Sequence, residues 1–119
     1  MAWLPARKAG AAVGFVRVAF SPNYAECPEG SPIFGPAKAN KLFRSGTPGV
    51  EIHASLGRQD GDWLVTKHRV SPFYATRLEV ILSTLNITRL VLFGVSTTGA
   101  VLSAAKDGHD RDFDITILD

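Results

Sequence analysis

The chain has 119 residues and a formal net charge of +2, and 45% of its residues are hydrophobic against 20% charged. This length predicts one domain, and this composition is typical of a globular protein rather than a disordered or fibrous one. Lysine and arginine residues are scattered among aspartate and glutamate, without a basic stripe that could follow a phosphate backbone. Nucleic acid is therefore not expected as a partner.

The cysteine content and the apolar runs bear on the compartment. The single cysteine, Cys27, cannot form a disulfide within the chain, which favours a reducing environment. Arg17 interrupts the apolar run that follows Arg7 and Lys8, so this run is interpreted as a strand and not as a signal peptide. No stretch of the sequence approaches the roughly 20 apolar residues that cross a bilayer. We expect a cytoplasmic protein without a membrane partner.

The predicted elements alternate between helices and strands. In chain order they are a helix stub over 1–9, a strand over 13–20, a short helical piece over 32–43, a strand over 63–67, a helix that starts at 76–79, a strand over 89–94, a helix that ends at 107–110 and a strand over 113–117. Such spacing favours right-handed crossovers and a parallel sheet. The predicted fold class is therefore α/β, with three α/β/α layers.

The apolar run over 89–94 is the centre of the predicted fold. A continuous run of this kind indicates a strand that is buried on both faces. Gly94 lets the chain turn sharply, and small residues then recur at helical spacing from Thr97 to Ala105. Because α/β sheets bind ligands where strands end and helices begin, a site is expected at this corner.

The helix before this strand has a predicted start, face and end. Residues 76–79 fit the capping-box pattern, and Asn86 is the predicted stop. The face toward the sheet is an apolar stripe at helical spacing, which consists of Leu78, Ile81, Leu82 and Leu85.

Lys67, at the end of a predicted strand, is the main candidate for chemistry. A cation there can hold a carboxylate or lower the pKa of a neighbouring group, although a solvated lysine is the simpler interpretation. Gly94–Gly99 lacks the Lys-Ser/Thr of a nucleotide phosphate loop. No metal is predicted, because metal-ligand spacing is absent among the three histidines, His53, His68 and His109.

Several segments together resemble the isochorismatase-like (cysteine hydrolase) superfamily. The main ones are residues 65–78, Val-Thr-Lys-His-Arg-Val-Ser-Pro-Phe-Tyr-Ala-Thr-Arg-Leu, and residues 90–105, which contain Gly-Val-Ser-Thr. Residues 16–20 and 46–53 fit the same register, so the resemblance covers 1–119 as a single, incomplete domain. It implies a parallel, Rossmann-like sheet and hydrolysis of amides or vinyl ethers without a cofactor.

The resemblance also implies a set of site residues. Lys67 matches the catalytic lysine of the family, and Ala100 occupies the position of its nucleophilic cysteine. The remaining implied residues belong to the pocket and the oxyanion hole: Phe73 and Thr97 line the pocket, Val95–Ser96 is the non-proline cis peptide of many members, and the backbone N–H groups of Ser96 and Ala100 form the oxyanion hole.

Two departures from the family pattern affect the predicted activity. Alanine at position 100 cannot form a thioester, which excludes the covalent route to amide hydrolysis but leaves proton transfer to a vinyl ether open. The family's first strand, which carries its catalytic Asp, would precede residues 1–9, and its last helix and strand would follow Asp119. We therefore expect a truncated member that lacks both strands. Either the flanking strands close up or a second copy fills the gap.

Two functions are consistent with these predictions. The first is an isochorismatase-family hydrolase domain for a small carboxylate-bearing amide or vinyl ether, inactive or impaired as given, in which Lys67 holds charge. The alternative is a pseudoenzyme, meaning a non-catalytic module for small-molecule binding or for oligomerisation.

Overall fold

A computed structural model of the chain describes residues 10–94 and 97–118. Their helices and strands are β1 (Gly14–Val18), α1 (Gly35–Ala39), β2 (Trp63–Lys67), α2 (Leu78–Thr84), β3 (Arg89–Leu92), α3 (Leu102–Asp110) and β4 (Asp114–Ile117). Two 3-10 turns, Pro48–Val50 and Ala54–Leu56, lie between α1 and β2, and a π-helical turn, Thr97–Val101, leads into α3. The helix stub predicted over 1–9 lies outside the described residues.

The four strands form two parallel pairs. β1 pairs with β2 in a register that starts with Gly14 opposite Trp63, and β3 pairs with β4 in a register that starts with Arg89 opposite Asp114. Among the described residues no backbone ladder joins β1 to β3, so the flanking strands do not close up. The parallel α/β fold is confirmed, and within the described residues its strands form two separate pairs.

Side chains, rather than hydrogen bonds between strands, join the two pairs. Val65 of β2 is fully buried in one cluster with Phe73 and with Leu82 of α2. Leu90 of β3 and Phe113, just before β4, pack against this cluster from the other pair. Burial of these apolar groups holds the pairs together without a continuous ladder.

β3 differs from the predicted strand that is buried on both faces. Val91 is 57% exposed and Phe93 is 47% exposed, while Leu90 and Leu92 are half-buried. This prediction was wrong because the core cluster covers only one face of the β3–β4 pair. The other face carries Val91 together with the exposed ion pair between Arg89 Nε and Asp114 Oδ2, which are 3.5 Å apart.

α2 begins at Leu78, and the capping box predicted for it does not form. The Thr76 hydroxyl accepts a hydrogen bond from the Leu78 N–H at 3.2 Å, but the Glu79 carboxylate bonds the Arg111 side chain instead of the backbone at the start of the helix. Leu85 is 48% exposed, so the apolar stripe ends one turn earlier than predicted. Asn86 is confirmed as the stop, with a φ of 55° in the left-handed region.

The proline-rich segment after β1 folds on a core of its own. Phe20, Tyr24 and Phe34 are buried together, with the rings of Phe20 and Phe34 5.8 Å apart. The Tyr24 hydroxyl donates to the Leu42 carbonyl at 2.9 Å, and the buried Cys27 thiol donates to the Phe34 carbonyl at 3.2 Å. In the described ranges, no helix is long and apolar enough to span a membrane.

Gly14 generates a test of the β1–β2 pair. A Cβ at this position would lie 2.2 Å from the indole ring of Trp63, so alanine must displace a large side chain. We expect Gly14→Ala to lower the free energy of unfolding by about 1–3 kcal/mol, as overpacking usually does, measured by urea denaturation. Gly49→Ala is the matched control, since nothing lies within 4 Å of its added Cβ. Equal midpoints for the two variants would contradict this packing.

Candidate functional site

The carboxyl ends of β1 and β2 lie side by side and form one edge of their pair. The Ala19 N–H donates to the Lys67 carbonyl at 3.2 Å, and the His68 Nδ1 donates to the Ala19 carbonyl at 2.6 Å. These bonds continue the pairing beyond the last residues of the two strands. They fix the backbone from which the Lys67 side chain starts.

Lys67 is buried, with only 6% of its surface exposed. Its ammonium group donates to the Val70 carbonyl at 2.6 Å, and among the described residues no carboxylate lies within 4.0 Å of it. Burial therefore lowers the pKa of Lys67 from its ordinary value. The interpretation as a solvated lysine is wrong, because this cation is withdrawn from water.

The segment that follows Lys67 is tied to α3 by a polar network. The Ser71 hydroxyl donates to Asp107 Oδ2 at 2.6 Å, and Arg111 Nε donates to Asp107 Oδ1 at 2.9 Å. Arg111 also donates to Glu79 of α2 at 2.6 Å. The Ser71 hydrogen bond, with a smaller contribution from Arg111, lowers the pKa of Asp107, which favours the carboxylate at neutral pH.

Lys67's neighbouring loop and the helix head face a common cavity. Its volume is about 460 Å³, and the loop contributes Val70 and Ser71. Gly99, in the π-helical turn before α3, lines the same cavity and directly precedes the half-buried Ala100. The remaining lining residues come from α3 and are Leu102, Ser103, Lys106, Asp107 and Asp110.

The corner before this turn requires a glycine. Gly94 has a φ of 147°, a conformation that side chains on Cβ disfavour, and it directly follows the exposed Phe93. The sharp turn predicted at Gly94 is consistent with this backbone angle. π-helical turns occur often at functional sites, which makes the Thr97–Val101 turn a reasonable place for one.

A carboxylate also lies near the end of the first pair. Glu26 accepts hydrogen bonds from the Ser21 N–H at 3.0 Å and from the Ser21 hydroxyl at 2.6 Å, and these bonds lower its pKa. The Arg69 guanidinium donates to the Glu26 carbonyl at 2.8 Å, and His68 Nε2 lies 3.9 Å from the carboxylate. Through these contacts, Glu26 holds the loop after β1 against the residues that follow β2.

The structure describes some of the predicted site residues and not others. Val95, Ser96 and the side chain of Thr97 lie outside the described part of the chain, so the cis peptide and the oxyanion hole stay predictions. The ring of Phe73 is buried against Phe113, with centroids 6.0 Å apart, and the Arg111 guanidinium lies 5.1 Å from the Phe73 centroid. The pocket-lining role of Phe73 also stays a prediction.

Sequence reasoning missed the contacts of Ser71, Asp107 and Arg111. One local signal was available, because Asp107 and Arg111 are four residues apart at the end of a helix, which is a typical spacing for an ion pair. The contact between Ser71 and Asp107 joins residues 36 apart and has no local signal. Over the described ranges, no group of three or more His, Cys, Asp or Glu residues could hold a metal ion.

The fold and the site together define an α/β protein with a buried lysine at the carboxyl edge of a parallel strand pair. The profile of the isochorismatase domain matches residues 4–119, and the chain belongs to the isochorismatase family. The resemblance found in the sequence is thereby confirmed.

Three known proteins show how far this similarity extends. The chain is 33% identical to the uncharacterized isochorismatase family protein YecD of Escherichia coli O157:H7, over 95% of this chain and 58% of that protein. It is 32% identical to the ureidoacrylate amidohydrolase RutB of Methylorubrum extorquens, over 91% of this chain and 48% of that protein. The crystal structure of a cysteine hydrolase from Pseudomonas syringae pv. phaseolicola 1448A superposes with a TM-score of 0.88 at 21% identity, over 97% of this chain and 53% of that one, which supports the shared fold. The chain spans about half the length of the curated relatives it matches.

Burial of the Lys67 charge has a measurable effect on stability. Because its pKa is lower in the folded chain than in the unfolded one, folding disfavours the ammonium, and stability rises with pH as the pH approaches 10.5. We expect Lys67→Met to raise the free energy of unfolding at pH 7 by about 0.5–2 kcal/mol, measured by urea denaturation.

Lys38→Met is the matched control, because Lys38 is exposed and bonds Glu29 at 2.6 Å. Its removal should leave stability unchanged or slightly lower. A lower midpoint for Lys67→Met than for Lys38→Met would show that the buried ammonium is stabilising, contrary to this account.

Proposed function

We propose that this chain provides the lysine side of a small-molecule site in an isochorismatase-family hydrolase domain, and that the site binds a carboxylate-bearing amide or vinyl ether. The single observation that carries the proposal is the buried Lys67 ammonium, without a carboxylate within 4.0 Å in the described structure, next to the loop that lines the cavity. A buried cation of this kind is favourable when an anion neutralises it.

Lys67 would act as an anion holder. An ammonium group has three N–H donors, and one of them is used by the Val70 carbonyl. The other two would be available to the two oxygens of a ligand carboxylate. Phe73 and Thr97 would contact the rest of the ligand, and the N–H groups of Ser96 and Ala100 would stabilise a developing oxyanion at the Val95–Ser96 corner.

Ala100 sets the limit of the proposed chemistry. A methyl group cannot attack a carbonyl, so covalent amide hydrolysis through position 100 is absent, and hydrolase activity is lost or impaired. Protonation of a vinyl ether followed by addition of water needs a proton donor, such as the family's catalytic Asp, rather than a nucleophile at position 100, so alanine there does not exclude it. The competing candidate that Ala100 favours is a non-catalytic binding module, a pseudoenzyme, in the cytoplasm.

The name of one relative suggests a ligand class to test. RutB is named for ureidoacrylate, a compound that carries a carboxylate beside a ureido group. For this chain we therefore propose ureido acids as the first ligand class. 3-Ureidopropionate is a stable probe of it, and its primary amide, 3-ureidopropionamide, has the same shape without the charge.

Calorimetric titration tests the role of Lys67. We expect 3-ureidopropionate to bind, 3-ureidopropionamide to bind at least tenfold more weakly, and Lys67→Met to reduce binding of the acid by at least tenfold, about 1.4 kcal/mol. The loss follows from removing the cation that neutralises the carboxylate. Lys106→Met, which alters the lysine that lines the cavity, is the control and should change binding by less. Equal binding of the acid by the parent and Lys67→Met would refute the proposal.

A thiol introduced at position 100 tests the helix head. We expect Ala100→Cys to react with iodoacetamide faster than Ser103→Cys, whose thiol would lie along α3, because a helix head and a nearby cation lower the pKa of a thiol. Adding Lys67→Met should slow the first variant and leave the second unchanged. The native Cys27 is buried and should react slowest in both. A reaction rate at position 100 that is independent of Lys67 would place the two residues in separate sites.

Turnover assays separate the two functional candidates. The parent chain is incubated with 3-ureidopropionate and with a carboxylate-bearing vinyl ether, and ammonia and the released carbonyl compound are measured. Vinyl-ether turnover that disappears in Lys67→Met supports the hydrolase domain, and binding without turnover supports the pseudoenzyme. Amide turnover that survives Lys67→Met would show that the site is elsewhere.

A further inference from the structure

We propose that Asp107 is a positioning residue for Lys67: by holding Ser71, it fixes the Val70 carbonyl that accepts the hydrogen bond of the lysine ammonium. The inference rests on the proposed function in so far as it treats Lys67 as the ligand-binding cation. Its test reads the lysine directly and needs no ligand, so its failure and the failure of the proposed function are distinguishable.

The chain of contacts is continuous. The Lys67 ammonium donates to the Val70 carbonyl at 2.6 Å, and the next residue, Ser71, donates through its hydroxyl to Asp107 Oδ2 at 2.6 Å. The same hydroxyl accepts from the Phe73 N–H at 3.2 Å. Ser71 is therefore held on both sides, and the orientation of the neighbouring Val70 carbonyl is restricted with it.

Asp107 is itself well fixed. Its second oxygen accepts from Arg111 Nε at 2.9 Å, and the Arg111 guanidinium also bonds Glu79 at 2.6 Å and lies 5.1 Å from the centre of the Phe73 ring. Asp107 belongs to α3, the helix that follows the turn with Ala100. Its bond to Ser71 thus links the lysine loop to the helix head.

A merely structural role makes a different prediction. If the network only stabilised the fold, loss of either partner of Asp107 would affect Lys67 in the same way. Under the present proposal, the Ser71 contact controls the lysine and the Arg111 contact does not. The two partners are therefore separable by substitution.

The measurement is the pKa of Lys67 by NMR of protein labelled with 13C at lysine Cε. The chain has five lysines, so the spectrum is simple, and Lys67→Met assigns the signal. We expect Asp107→Ala and Ser71→Ala to raise the pKa of Lys67 toward that of an exposed lysine, because a loosened loop admits water. Asp107→Asn keeps an acceptor for Ser71 and should prevent this rise, and Arg111→Met should leave the pKa of Lys67 unchanged.

Charge effects cannot imitate this result. The charged groups on the surrounding segments are Glu26, His68 and Arg69 at the strand ends, and Lys106, Asp107 and Asp110 at the cavity. Removing the negative charge of Asp107 would lower the pKa of a nearby lysine, which is opposite to the expected rise. Asp107→Asn removes the same charge and reports this effect alone.

Two outcomes would overturn the proposal. One is an unchanged or lowered pKa of Lys67 in both Ser71→Ala and Asp107→Ala, and the other is a rise in Arg111→Met as large as in Asp107→Ala. Ser71→Ala decides the question if Asp107→Ala does not fold, because it removes the same hydrogen bond and keeps the carboxylate and its pairing with Arg111.

Discussion

The hydrogen bond between the Lys67 ammonium and the Val70 carbonyl is the contact on which the site depends. It is made only three residues along the chain, so the loop must fold back over the end of β2 and cover the side chain. The lysine then lies under its own loop, where its charge is partly compensated by one carbonyl dipole. Under the proposed function, that partial compensation would prepare the cation for an anion, because the cost of removing it from water is already met by folding.

The arrangement of the strands gives this site a defined place in the fold. β1 and β2 end together beside Lys67, while β3 ends at the corner before the Thr97–Val101 turn. No ladder within the described residues joins the two pairs, so the site spans two units that meet through Val65, Phe73 and Leu90. The Ser71–Asp107 bond is a polar link across the same boundary. Local loosening of this boundary would therefore change the cavity before it changed either strand pair.

The bounds of helices and strands could be predicted from the sequence better than the burial and the long-range contacts of their residues. β2 was predicted at its observed bounds because apolar and β-branched residues lie between a turn cluster and a polar segment, and Asn86 was predicted as a stop because few residues tolerate positive φ. The exposure of Val91 and Phe93 could not be predicted, since an apolar run does not specify whether both of its faces are covered. The Ser71–Asp107 contact depends on how α3 crosses the sheet, which no local pattern specifies.

The family resemblance implies both anion binding and covalent hydrolysis, and Lys67 and Ala100 bear on these two properties differently. Among the described residues, the buried lysine is compensated by one carbonyl, so its presence is not explained by stability, and Lys67→Met is expected to be more stable. Under the proposed function, a ligand carboxylate would supply the missing counter-charge and so offset the cost of burying the ammonium. The resemblance implies that Ala100 stands where the family has its nucleophilic cysteine, while the lysine and the cavity lined by its neighbouring loop are present. On this proposal, binding of an anion would require only groups that are present, whereas covalent amide hydrolysis would require a cysteine at position 100.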